Sequence, residues 1–215
     1  MSAGLVTGVA LLGALAGRAA VPLAGVLTRS PPPAVRSPRP DDRLGAAVLA
    51  GTLVFGGLAV ARGGDPALPA FLAVATVGLA LALADLACLR LPDRLVAAAA
   101  GAAALGLVPV ALVSGTPERL LTAVAGAAVS FAGYVLLALL PHSRLGFGDV
   151  KLAAALGLPL GWLGWPTLGV GLLLPHLLNG VIVLALLAAG RVRRDTPVPF
   201  GPAILTGAWL AVLLA

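Results

Sequence analysis

"ALPAFLAVATVGLALALADLACL", residues 67–89, carries one charged side chain, Asp85, in 23 residues. As an α-helix the run would extend about 35 Å, enough to cross the roughly 30 Å hydrocarbon core of a bilayer. Similar apolar runs recur from end to end. The whole chain of 215 residues is 60% hydrophobic and 10% charged, where a soluble domain carries about 25% charged residues. A water-soluble fold of this length has nowhere to hide so much apolar surface. The sequence therefore predicts an all-α, polytopic transmembrane bundle in a single domain. Its Gly and Ala content suits close helix–helix approach in lipid.

Eight helices are expected, at about 3–27, 44–62, 67–89, 94–113, 119–140, 149–160, 165–190 and 200–215. The connectors hold the Pro, Gly and Arg residues, and the first, Thr28–Arg43, is Pro- and Arg-rich. No internal repeat and no soluble domain is visible. The first apolar run has no basic residue before Arg18, which favours a retained helix over a cleaved signal peptide.

The net charge of +6 does not point to nucleic acid, because the basic residues fall in short connectors. Connectors one, three, five and seven together hold 11 Lys/Arg: Arg29, Arg36, Arg39, Arg43, Arg90, Arg94, Arg144, Lys151, Arg191, Arg193 and Arg194. The other side holds two, Arg62 and Arg119. The basic side is expected to be cytoplasmic, with both termini outside. This holds only if the sixth element crosses, although its 12 expected residues would rise about 18 Å. Cys88 is the sole cysteine, so neither an intramolecular disulfide nor a four-cysteine zinc site can form.

Six of the eight carboxylates lie in connectors. Asp85 lies about one turn inside its helix, with no base at i+4, a costly place unless it faces a wet cavity or a partner. Reaching the headgroups is the plain alternative. Asp149, in "RLGFGDVKLAAALG" (144–157), has a plain reading as the N-cap of the sixth helix. The two aspartates fall at the same membrane edge. Two carboxylates brought close cannot both ionise easily; one donates a hydrogen bond while the other takes a proton from water. Gly146 and Gly148 would then let an extended peptide approach the backbone.

"GFGD" (146–149) matches the GxGD signature of intramembrane aspartyl proteases. "GFGDVKLAAALG" (146–157) resembles the second active-site segment of type IV prepilin peptidases. "DLACLRLPD" (85–93) resembles their first, and "PVPFGPAILTGAW" (197–209) their C-terminal element. The resemblance covers about 67–215; the first two helices match in general character only. It implies catalysis by Asp85 and Asp149 without cofactor or metal, in the bacterial inner membrane, at its cytoplasmic face. The implied substrates are prepilins or pseudopilins, with lipid as the other partner. Larger members carry a cytoplasmic loop with zinc-binding cysteine pairs and N-methylate the new N-terminus. The cysteine-free connector 28–43 implies a peptidase-only form, or one whose methyltransferase is elsewhere.

Pro92 and Asp93 are expected to shape the loop presenting Asp85, with contact to a basic leader as an alternative for Asp93. Lys151 is read as a charge at a helix start, or as a field on the carboxylates. Phe200, Gly201 and Pro202 form a tight re-entry into the last helix, with a substrate-facing role as the alternative. His142 is read as solvated, Cys88 as packing, and Trp162 and Trp165 as an outer interfacial belt. Pro175 is expected to kink the seventh helix, with His176 and Asn179 hydrogen-bonding across helices. The rival functions are a proton-coupled transporter, a non-catalytic pilus or secretion assembly factor, and a GxGD protease acting on other membrane helices.

Overall fold

The computed structural model describes residues 2–27, 40–141, 143 and 145–215. Among them every regular element is a helix: α1 (Ala3–Leu27), α2 (Pro40–Arg62), α3 (Leu68–Cys88), α4 (Asp93–Ser114), α5 (Glu118–Ala138), α6 (Phe147–Leu163), α7 (Trp165–Ala188) and α8 (Gly201–Leu214). Six of these, all but α6 and α8, are long and apolar enough to cross a membrane. The protein is a polytopic helical bundle, as its composition requires. Leu105, Leu112, Leu121, Leu173 and Leu184 face outward, which suits lipid rather than water.

The helices α3 and α6 occupy the interior. Both are gripped by α4 and by α8, while α3 also packs on α1 and α2 and α6 on α5 and α7. The α5–α6 pair runs antiparallel along a seam of small residues. A methyl at Gly157 would lie 2.6 Å from Gly126 O, and one at Gly161 3.0 Å from Gly126 Cα. Only glycine allows the two backbones so close, and the buried Ser130 hydroxyl is tied to Gly126 O at 2.7 Å.

Several expectations are corrected. The sixth helix has 17 residues, not 12, and so rises about 25 Å. Near its end Trp162 packs under the Arg119 guanidinium, 5.6 Å from the ring centroid, beside the start of α5. It therefore runs alongside nearly all of α5. Trp162 is consequently buried, not part of an outer belt, whereas Trp165 is exposed. Asp41, Asp42 and Arg43 belong to the first turn of α2, where the two acids favour the positive end of the helix dipole. The hydrogen bond of His176 stays within its own helix: its Nδ1 lies 2.9 Å from Leu172 O, one turn back in α7. Pro175 is buried within α7, against Gly207 of α8. His142, Arg144 and residues 28–39 of the first connector lie outside the described residues.

Candidate active site

Sequence order separates the acidic and glycine motifs, but the fold brings them to one end of the bundle. The α3–α4 connector, the start of α6 and the start of α8 meet there. Helix α3 stops at Leu89, whose N–H donates to the Asp85 carbonyl at 2.8 Å. Leu89 adopts φ 53°, ψ 36°, a left-handed conformation costing a non-glycine residue about 1–2 kcal/mol. The sharp stop turns Leu91 back over the site, and extended Pro92 starts α4.

Asp85 is 5% exposed. Its partner is not a base but a main-chain group: the Gly201 N–H at the start of α8 donates to Oδ2 at 2.8 Å. Helix N-termini carry free N–H groups and a partial positive charge, so α8 is aimed to receive a carboxylate. Pro202 occupies the second position of α8, where its missing N–H costs nothing. Gly201 is required by contact, since a methyl there would lie 2.9 Å from Asp85 Oδ2.

Asp149 is not the N-cap of α6. Gly146 holds that position, and Asp149, in the first turn, accepts the Gly146 N–H through Oδ2 at 3.1 Å. The carboxylate thus closes the entry to its own helix. Gly148 lies inside α6 and faces Leu91, whose Cβ would be 3.1 Å from an added methyl. Leu91 also abuts Gly201, so one loop leucine wedges the starts of α6 and α8. Gly148 and Gly201 thereby make room for Leu91.

The two aspartates flank one loop residue: Leu91 abuts Gly201, which holds Asp85, and Gly148, the neighbour of Asp149. Such a pair suits one protonated and one ionised member, the requirement for activating water between two acids. Lys151 is engaged elsewhere. Its Nζ bonds Asp93 Oδ1 at 2.8 Å and sits 5.2 Å from the Phe147 ring centroid. Lys151 and Asp93 therefore form one tie between α6 and α4, which neither of the separate readings foresaw.

Two further residues escaped the sequence reading. Leu91 gives no signal, being one apolar residue among many. Tyr134, the chain's single tyrosine, could have been flagged as a phenol in an apolar helix. It is buried in α5, with ring centroids 5.4 Å from His176 and 6.4 Å from Phe200. Below the site an apolar cavity of about 300 Å³ opens between α2, α3, α6 and α8, reaching Ala82 of α3 and Pro202.

A profile of the type IV leader peptidase family matches residues 70–190. The chain belongs to that family. It is similar to the prepilin leader peptidase/N-methyltransferase of Aeromonas salmonicida, 35% identical over 97 residues, 45% of this chain and 32% of that protein. The protein of the same description from Stutzerimonas stutzeri is 32% identical over 138 residues, 63% and 46% of the two chains. That from Pseudomonas putida is 38% identical over 101 residues, 45% and 33%. The chain spans about a third to a half of the length of these curated relatives. No solved structure matches it.

Proposed function

We propose that this member of the leader peptidase family is a membrane-embedded aspartic endopeptidase that cleaves the leaders of prepilins or pseudopilins. The observation that carries the reading is the convergence of Asp85 and Asp149, from two interior helices, on the two sides of Leu91 at one end of the bundle. A proton-coupled transporter would also place acids in a bundle, but it gives no reason for a leader peptidase profile over 70–190.

In the proposed reaction a water oxygen attacks the scissile carbonyl carbon. One carboxylate takes the water proton, and the other carboxylic acid gives its proton to the carbonyl oxygen. The tetrahedral diol then collapses: the C–N bond breaks, the departing nitrogen takes a proton from the first acid, and the second carboxylate takes a diol proton back as the C=O re-forms. No covalent enzyme intermediate forms.

The Lys/Arg tally supports a cytoplasmic inner-membrane position for the site, since Arg90, Arg191, Arg193 and Arg194 lie in connectors, and Arg94 and Lys151 near helix starts, on the basic side. A substrate with a basic leader and an apolar segment would lie with its cleavage site at that edge. The cavity beneath, continuous with Ala82 and Pro202, would take the apolar segment. The test is co-expression of a prepilin with wild type, Asp85→Asn or Asp149→Asn, read as a gel shift. Cleavage by wild type alone, at equal membrane levels, supports the dyad. Substantial cleavage by either variant removes it.

A further inference from the structure

The Gly201 N–H that receives Asp85 is a main-chain donor, so its place is set by whatever holds the chain around it. On one side stands Leu91, whose Cδ2 would lie 3.2 Å from a methyl on Gly201. On the other side the chain arrives through the α7–α8 connector, which is exposed from Arg193 to Pro197 and half-buried only from Val198 onward. Phe200 is the N-cap residue of α8, and its carbonyl accepts the Ile204 N–H at 3.1 Å. It is therefore the last side chain able to anchor the entry to α8 before the donor itself.

The Phe200 ring is anchored by two helices other than its own. Tyr134 of α5 stacks against it, with centroids 6.4 Å apart and planes 29° apart. His176 of α7 meets it edge-on at 5.4 Å and lies 5.4 Å from the Tyr134 ring as well. All three separations fall in the range of about 4.5–7 Å that attractive aromatic pairs adopt. Tyr134 is 2% exposed, and its hydroxyl has no hydrogen-bond partner among the described residues, so its contribution here is the ring. His176 is oriented in turn by its Nδ1, 2.9 Å from Leu172 O. Each ring touches the other two, so none can shift alone. Further along, α8 is fitted to α7 again at Gly207, where a methyl would lie 2.6 Å from Pro175 Cδ.

We propose that Phe200 is a positioning residue: clamped between Tyr134 and His176, its ring sets where the Gly201 N–H stands and so where Asp85 presents its carboxylate. Phe200 acts through that donor and not by touching the peptide. A small displacement of a reacting group costs rate without weakening the binding of remote parts of the substrate. The inference rests on the dyad reading above.

The test uses the full chain in detergent with a purified prepilin. Phe200→Leu keeps apolar bulk and removes the ring. It is expected to lower kcat about tenfold with KM within about twofold. Tyr134→Leu, which removes the clamp from α5, should do the same. Tyr134→Phe keeps all three rings and should stay within about twofold of wild type. The deciding measurement is a double-mutant cycle with Gly201→Ala, which disturbs the donor itself. Added to Gly201→Ala, Phe200→Leu should lower kcat by no more than about twofold further, because both changes act on one contact. Losses that multiply, a raised KM with kcat unchanged, wild-type kcat in Phe200→Leu, or a tenfold loss in Tyr134→Phe each overturn the proposal. Should Phe200→Leu fail to accumulate in the membrane, the same cycle with Tyr134→Leu decides by the same criteria. Asp85→Asn and Asp149→Asn are measured alongside. If either cleaves, the dyad reading fails and this inference with it; if both are inactive, the cycle judges Phe200 alone.

Discussion

The Gly201 N–H and the Asp85 carboxylate meet at 2.8 Å across 116 residues of sequence. The bond joins α8 to α3 and gives a buried acid its only hydrogen-bonding partner among the described residues. Gly201→Ala would place a methyl 2.9 Å from Asp85 Oδ2, so the carboxylate must shift or the bond must lengthen. Loss of roughly 10–100-fold in cleavage rate is expected, the scale for misplacing a reacting group by a fraction of its contact distance. Membrane levels should stay near wild type, because α8 keeps its packing on α7 and α6. Wild-type cleavage by Gly201→Ala would show that the contact does not set the position of Asp85.

Lys151 and Asp93 form a different kind of link. Their side chains are 37% and 71% exposed, so solvent screens the pair and its worth is about 0.2–1 kcal/mol. Asp93→Asn and Lys151→Met should each keep cleavage within about threefold of wild type. A double-mutant cycle in thermal unfolding should give a small coupling that fades in high salt. A hundredfold loss from Lys151→Met, with the pair's partner variant unaffected, would instead place the ammonium in the reaction.

The bundle was legible because length, apolar runs and breakers all carry local information. The charge of Asp85 and Asp149 against an apolar background made them visible as candidates, and so did the glycines around Asp149. The partner of Asp85 was hidden, since a main-chain N–H has no letter in the sequence. Leu91 was hidden for a related reason: its importance lies in touching Gly148 and Gly201, and nothing in its identity announces that. The sixth helix is expected too short at both ends, because Gly146 and Gly148 suggest a loop before it and Pro159 and Pro166 a break after it. Gly148 is helical, and its lack of Cβ serves contact with Leu91 rather than a turn. Trp162 was misplaced by a rule about interfaces that does not apply once Arg119 covers its ring.

The α5–α6 seam should be intolerant of bulk. Gly157→Val adds methyl groups where even one would lie 2.6 Å from Gly126 O and 2.6 Å from Ser130 Oγ. Overpacking of this kind typically costs about 1–3 kcal/mol, and backbone atoms give way less than side chains. A clear drop in melting temperature in detergent is expected, together with reduced membrane level. Gly169→Ala is the control, since an added methyl there meets nothing within 4 Å; it should melt at or above wild type. Equal melting of Gly157→Val and wild type would contradict the close approach of α5 and α6.

The apolar cavity separates binding from chemistry. Ala82 lines it on the same helix as Asp85, and Pro202 lines it next to Gly201. A prepilin whose apolar segment lies there would contact Ala82 within one helical turn of the bond being cut. Ala82→Leu adds about three methylene equivalents of bulk to a space that the segment must share, while leaving both acids and the Gly201 bond untouched. KM for a full prepilin is expected to rise about tenfold, with kcat changed by less than about threefold. A short peptide that spans the leader and cleavage site but lacks the apolar segment should be cleaved equally by both proteins. Lipid competition alone would leave KM for the full prepilin unchanged at fixed lipid content. That result would assign the cavity to the bilayer and move the substrate's apolar segment elsewhere on the bundle.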